Sequence, residues 1–107
     1  METTFERRAL GTTVLVAVHG EVDILSAPDF KAALLEAGPN LAVDLTDCGY
    51  LDSSGLAVLV STYKAQGRHA LPVVVPNDSF LRKVFNVSGI ESLLILCDSL
   101  EAIRTKT

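Results

Sequence analysis

Between Leu51 and Val60 the chain reads LDSSGLAVLV, placing Asp52, the hydroxyls of Ser53 and Ser54, and Gly55 directly ahead of an apolar run. An acid and two hydroxyls at the mouth of a helix admit two chemistries. They can satisfy the unpaired N–H groups of the first turn, with Ser as a cap and Asp favoured by the helix dipole. Alternatively, one serine is a chemical target, held where those N–H groups and the positive end of the dipole suit an anion. Gly55 costs a helix about 1 kcal/mol relative to Ala, so its presence points to close approach of backbone or of a partner. On these four residues alone, capping is the stronger reading.

Other reactive side chains do not assemble into a catalytic set. The G-x-S-x-G elbow is absent, and His19 and His69 have no evident triad partners. Both histidines read as strand-end or surface residues. Metal-ligand spacings of His and Cys are missing, as are phosphate-loop and dinucleotide glycine patterns. Asp44, at the end of an apolar run, is a candidate phosphoryl acceptor. That chemistry needs further acids at the end of an early strand, where the chain offers only His19 with the outlying Glu21 and Asp23. No catalytic residue, metal or cofactor is assigned.

The elements that position Asp52–Gly55 follow from periodicity. Thr12–Gly20 is apolar and β-branched, and the preceding segment can pair with it across Gly11 as a hairpin. Leu41–Leu45, Leu71–Val75 and Leu93–Cys97 are apolar runs of strand length. Ser26–Gly38 carries Pro28 near its start and a stripe of Phe30, Ala33, Leu34 and Ala37. The run after Gly55 could be a strand, but Leu56, Leu59, Val60 and Tyr63 recur at helical spacing, with Gly67 as the stop. Ala57 and Val58 fall off that stripe, as an exposed apolar edge for a partner or, for Val58, as packing under a neighbouring helix. Asp78 and Asp98 are placed to cap two further helices, which align Leu81, Val84 and Phe85 and carry Glu101. The order β-β-α-β-α-β-α-β-α implies an α/β fold with a mixed, mostly parallel sheet of about five strands and about four helices.

Bulk properties narrow the class. The 107 residues are 49% apolar and 21% charged, the balance of one soluble domain spanning 1–107. A net charge of −4 offers no footprint for nucleic acid or anionic lipid. No apolar run approaches the roughly 20 residues that span a bilayer, and METTFERRAL has no signal-peptide core. Cys48 and Cys97 lie far apart, suiting packed thiols in a reducing compartment, so a cytoplasmic location is expected. A monomer is the default.

Three ordered blocks carry a family resemblance. VDLTDCGYLDSSGLAVLVSTYK resembles the central motif of STAS domains, particularly the anti-sigma factor antagonists of bacterial partner-switching systems. GEVDILSAPDFKAAL resembles the family's earlier block, with Gly20, Glu21, Asp23, Ala27 and Pro28 in place, and VVVPNDSFLRKVFNVSGIESLLILCDSLEAI resembles its C-terminal half. Ala57 replaces a glycine frequent at that position, and the turn at AGPNLAV looks short.

The resemblance implies an antagonist that binds an anti-sigma factor with serine kinase activity, freeing the sigma factor for transcription, as in stress responses. Phosphorylation at Ser53, directly after the aspartate, breaks that complex, and a metal-dependent serine phosphatase restores it. Ser54 is the second choice of acceptor. Asp23 should lie beside the site, and Asp23, Asp52, Ser53, Ser54, Gly55, Leu56, Ala57 and Val58 are the expected partner-binding residues. An alternative keeps the fold but binds a small ligand, or scaffolds a regulatory complex without phospho-switching.

Overall fold

The computed structural model describes the backbone of residues 2–106 and the side chains of residues 2–103. Strand β1 (Thr4–Leu10) and strand β2 (Thr13–Val22) form the antiparallel hairpin, closed by a two-residue loop in which Gly11 has φ +63°. That positive φ at the first loop position is one a glycine adopts without strain. Helix α1 (Ala27–Ala37), strand β3 (Leu41–Asp44), strand β4 (Cys48–Leu51), helix α2 (Ser53–Ala65), strand β5 (Leu71–Val74), helix α3 (Phe80–Ser88), strand β6 (Leu94–Cys97) and helix α4 (Leu100–Lys106) follow. A single 3₁₀ turn, Ile90–Leu93, leads into β6.

The sheet runs β1-β2-β3-β5-β6, with every pair after the hairpin parallel. The mixed, mostly parallel sheet inferred from the sequence is therefore present, with one strand more. β4 pairs in parallel with the far end of β2, after a shift in register between Gly20 and Glu21. Its four residues, CGYL, are too short and too mixed to stand out by alternation.

Strand alternation divides the core between the two faces of the sheet. Val16, Val18, Val43 and Val73 join Phe30, Leu34, Leu59, Leu81 and Phe85 from α1, α2 and α3. Leu15, Ala42, Val74 and Cys97 point the other way, with Ile103 of α4.

Three local expectations need correction. The buried stripe of α2 is Gly55, Val58, Leu59 and Thr62, whereas Leu56, Val60 and Tyr63 are half-buried. The helix is turned by about one residue, roughly 100°, because Thr62 can be buried at no hydrogen-bonding cost: its hydroxyl donates to the Val58 carbonyl at 2.8 Å. The α3 cap is Ser79, not Asp78, its hydroxyl accepting from the Leu81 N–H at 3.2 Å. At α4 it is the Ser99 hydroxyl that accepts from the Ala102 N–H, while Asp98 takes a hydrogen bond from Asn77.

Candidate functional site

The site is built where two parallel strands end together. Val22 of β2 stands opposite Leu51 of β4, so Asp23 and Asp52 leave the sheet side by side. The Asp52 N–H donates to the Val22 carbonyl at 3.0 Å, which ties the two exits. This is the carboxyl edge of the sheet, where open α/β folds carry their sites.

Asp52 is the cap of α2. Its backbone is extended, and Oδ1 accepts from the N–H groups of Ser54 at 2.8 Å and Gly55 at 3.2 Å. Two of the orphan donors of the first turn are thereby satisfied. The anion favoured by this helix start is Asp52 itself. Ser53 is left as the first helical residue, exposed, and among the described residues its hydroxyl enters no intramolecular hydrogen bond. Ser54 is half-buried behind it.

The chain contains three Asp–Ser pairs, at 52–53, 78–79 and 98–99, each at the start of a helix. Ser79 and Ser99 spend their hydroxyls on helix N–H groups. At 52–53 the roles are exchanged and the serine is spared.

Asp23 locks the neighbouring turn. Its Oδ1 accepts from the N–H groups of Leu25 and Ser26, both at 3.0 Å, and from the Ser26 hydroxyl, which in turn accepts from the Asp23 N–H. Those bonds, the Ser26 backbone N–H first among them, hold its carboxyl below the ordinary aspartate range. The turn so fixed thrusts Ile24 and Leu25 outward, 73% and 85% exposed. On the other flank Tyr50 of β4 lies against Phe80 of α3, ring centroids 6.3 Å apart, with Phe80 60% exposed. Both apolar outcrops stand on strand ends that lead toward α2, Ile24 and Leu25 after β2 and Tyr50 near the end of β4.

The expected contact residues divide accordingly. Asp23, Asp52, Ser53, Ser54 and Ala57 reach the surface around the helix start, and Leu56 is half-buried. Val58 does not: at 6% exposure it packs in the core, because the rotation of α2 turns it toward the sheet. Gly55 is also buried. A Cβ there would lie 3.0 Å from Leu51 Cδ2 and 3.2 Å from Val22 Cγ1, so the close approach it permits is of the helix to its own strands rather than to a partner. Ile24, Leu25, Tyr50 and Phe80 were missed by sequence reasoning. A consecutive Ile–Leu pair between Asp23 and the helix-starting Ser26 was the available signal for the first two.

The remaining candidates lie elsewhere. Asp44 is buried at the end of β3 with Oδ1 accepting from the N–H of Thr46 at 3.0 Å and its hydroxyl at 2.6 Å, a local turn rather than an open acceptor. His19 lies between Glu6 and Asp47, and His69 is exposed beyond the end of α2. The Cys48 and Cys97 thiols are buried, and burial pushes the Cys48 thiol up to about 11. Among the described residues no group of three or more His, Cys, Asp or Glu is placed to hold a metal ion, and no helix is long and apolar enough to cross a membrane.

Residues 5–96 match the family model described as Mlab, STAS domain. The chain belongs to the STAS domain family. The anti-sigma-B factor antagonist of Bacillus subtilis (strain 168) is 32% identical over 85 residues, covering 76% of this chain and 78% of that protein. The solved structure of an anti-sigma factor antagonist from Mycobacterium paratuberculosis matches with a TM-score of 0.85 at 25% identity, over 98% of this chain and 93% of that one. The Bacillus cell fate determinant SpoIIAA shares this STAS fold in two forms. Its phosphorylated form gives a TM-score of 0.67 at 22% identity, over 97% of this chain and all of that one. The unphosphorylated form gives 0.69 at 17% identity, over 96% of each chain.

Proposed function

We propose that this STAS protein is an anti-sigma factor antagonist that docks its carboxyl sheet edge on an anti-sigma factor with serine kinase activity, and is released when Ser53 is phosphorylated. In that step the γ-phosphoryl group of ATP passes to Ser53 Oγ, the hydroxyl proton leaves with the kinase's base, and ADP departs. A metal-dependent serine phosphatase reverses the modification. The protein itself acts by binding, as one STAS module across 1–107, in the cytoplasm, and sigma-factor-dependent transcription is the output.

The carrying observation is the exchange of roles at Asp52–Ser53. A serine at a helix start is normally consumed by the helix, and two others in this chain are. Here Asp52 takes the capping duty, so Ser53 keeps its hydroxyl free and exposed, and the strand ends that lead toward this helix carry the exposed Ile24, Leu25 and Tyr50, the last lying against exposed Phe80. Apolar residues exposed around a polar centre are the composition of a docking surface. Support also comes from relatives of this fold named as antagonists, and from SpoIIAA, whose fold is shared by its phosphorylated and unphosphorylated forms.

The test is phosphorylation by the cognate kinase with ATP, read by intact mass and by fragmentation. Wild type gains one phosphoryl group on Ser53. Ser53→Ala binds the kinase but stays unmodified, and Ser53→Asp binds weakly. Stoichiometric modification of Ser53→Ala would move the acceptor to Ser54, and an unmodified wild type would remove the switch altogether.

A further inference from the structure

The sheet ends in β1 on one side and β6 on the other, and among the described residues β1 pairs with β2 alone. Its outward backbone groups can be identified. Leu10 and Thr13 close a two-residue hairpin loop, so they form a hydrogen-bonded pair, and Thr4, Glu6 and Arg8 likewise face β2. The Val14 N–H confirms the alternation, because it turns away from its partner Ala9 and donates to Asn40 at 2.8 Å. Phe5, Arg7 and Ala9 therefore present their N–H and C=O groups to the outside.

Side chains alternate along the same strand. Phe5 stacks on Phe30 of α1, ring centroids 5.6 Å apart, and Arg7 reaches the Glu36 carbonyl, so Glu6 and Arg8 share the opposite face. There they are exposed and paired with each other at 3.2 Å.

The geometry points to β1 as a self-association edge, on which a second copy of this chain pairs antiparallel about a two-fold axis at Arg7. In that register Phe5 meets Ala9 of the second copy, Arg7 meets Arg7, and the outward groups form roughly six backbone hydrogen bonds. Glu6 then stands opposite Arg8 of the second copy, and Arg8 opposite its Glu6, at the closer, non-hydrogen-bonded positions. Shifting the axis to Glu6 sets Glu6 against Glu6, and shifting it to Arg8 sets Arg8 against Arg8. A charged edge ordinarily resists pairing. This one is complementary to itself in the register that also overlaps the whole strand. The two Arg7 side chains oppose each other there, but each is drawn back to its own helix. An edge of seven residues falls short of the roughly 1,600 Å² of a standard stable interface, so the dimer is a weak, reversible one. It leaves the carboxyl edge and Ser53 free, and stands whether or not Ser53 is phosphorylated.

Sedimentation equilibrium across micromolar to millimolar protein tests it. The wild-type average mass rises with concentration toward twice 11.4 kDa. Arg8→Glu weakens association about tenfold, and Glu6→Arg combined with Arg8→Glu restores it. Arg7→Pro, which removes an outward N–H and leaves the ladder to β2 intact, abolishes it, with far-UV circular dichroism reporting that each variant is folded. A mass fixed at 11.4 kDa at millimolar protein overturns the proposal. So does a dimer indifferent to the charge variants, which would lie on another face.

Discussion

Asp52→Ala should loosen the start of α2 without unfolding the protein. The substitution removes the one oxygen that accepts from the Ser54 and Gly55 N–H groups, at 2.8 and 3.2 Å, and Gly55 is buried. Losing an N-cap costs about 0.5–2 kcal/mol, and a partly buried donor left bare belongs at the upper end, so about 1–2 kcal/mol is expected. For a chain of this size that lowers Tm by roughly 5–10 °C. Asp52→Asn keeps the accepting oxygen and gives up only the charge–dipole interaction, about 0.3–1 kcal/mol, so it should recover at least half of the loss. The assay is urea denaturation followed by far-UV circular dichroism, with unchanged m-values showing that both variants unfold from a native-like state. If Asp52→Ala is within about 0.5 kcal/mol of wild type, the cap carries nothing and the reason given for Ser53 being free is wrong. If Asn fares as badly as Ala, charge rather than geometry is what Asp52 supplies.

Gly55→Ala gains about 1 kcal/mol of helix propensity but drives a methyl group to 3.0 Å from Leu51 Cδ2, and to 3.2 Å from Leu51 Cβ and Val22 Cγ1. Overpacking of that kind costs about 1–3 kcal/mol, so the variant should be destabilised or at best neutral, and a clear gain in Tm would contradict the packing. The Asp23 carboxyl is held below its ordinary range in the folded state, so its contribution is present above the unfolded pKa and is lost as pH falls through the folded value. Acidification below the usual aspartate range should therefore release the turn before the sheet, seen as faster amide exchange at Leu25 and Ser26; uniform exchange across the chain would refute it. The Cys48 thiol, raised to about 11 by burial, is almost wholly protonated at neutral pH. Native protein should react with a thiol reagent only on unfolding, and rapid labelling would show that β4 opens.

How far the sequence carried the reading depends on the strength of the local signal. The apolar strands, the hairpin at Gly11 and the helix stripe at Phe30 and Leu34 were legible because one periodicity dominated each segment. β4 was hidden because Cys48–Leu51 has two exposed residues in the middle and acquires its pairing only from the far end of β2. The α2 stripe was misplaced by one residue for a physical reason. Apolar counting favours Leu56, Val60 and Tyr63, but the helix instead turns Gly55 and Thr62 inward, since one lacks a side chain to clash and the other satisfies its hydroxyl within the helix. The caps show the same limit. Asp and Ser are both good caps, so an Asp–Ser pair leaves the choice to tertiary context, and that choice decides which serine is free.

That choice also decides where a charge on Ser53 would act. Two of the first-turn N–H groups that could stabilise a phosphate are already bonded to Asp52, so the added charge of about −1.5 to −2 meets a neighbouring carboxylate and a dipole already partly answered. In water the repulsion near 4 Å is about 1 kcal/mol per unit of added charge, hence about 1.5–2 kcal/mol for the phosphate, small beside a domain stability of about 5–15 kcal/mol. The exposed hydroxyl has room to carry its phosphate outward, and the sheet beneath need not move. A docked partner changes the dielectric. Covered by an apolar rim such as Ile24, Leu25, Tyr50 and Phe80, the same repulsion costs about 4 kcal/mol per unit of added charge at an effective dielectric near 20, or about a thousandfold in affinity for the first unit alone. One modification is thus tolerated by the fold and intolerable to the complex, because Asp52 both frees Ser53 and stands beside it. In Asp52→Asn, which keeps the cap and removes the neighbour's charge, phosphorylation should disrupt partner binding less than in wild type. An equal loss of affinity in the two proteins would show that the repulsion arises on the partner's side of the interface.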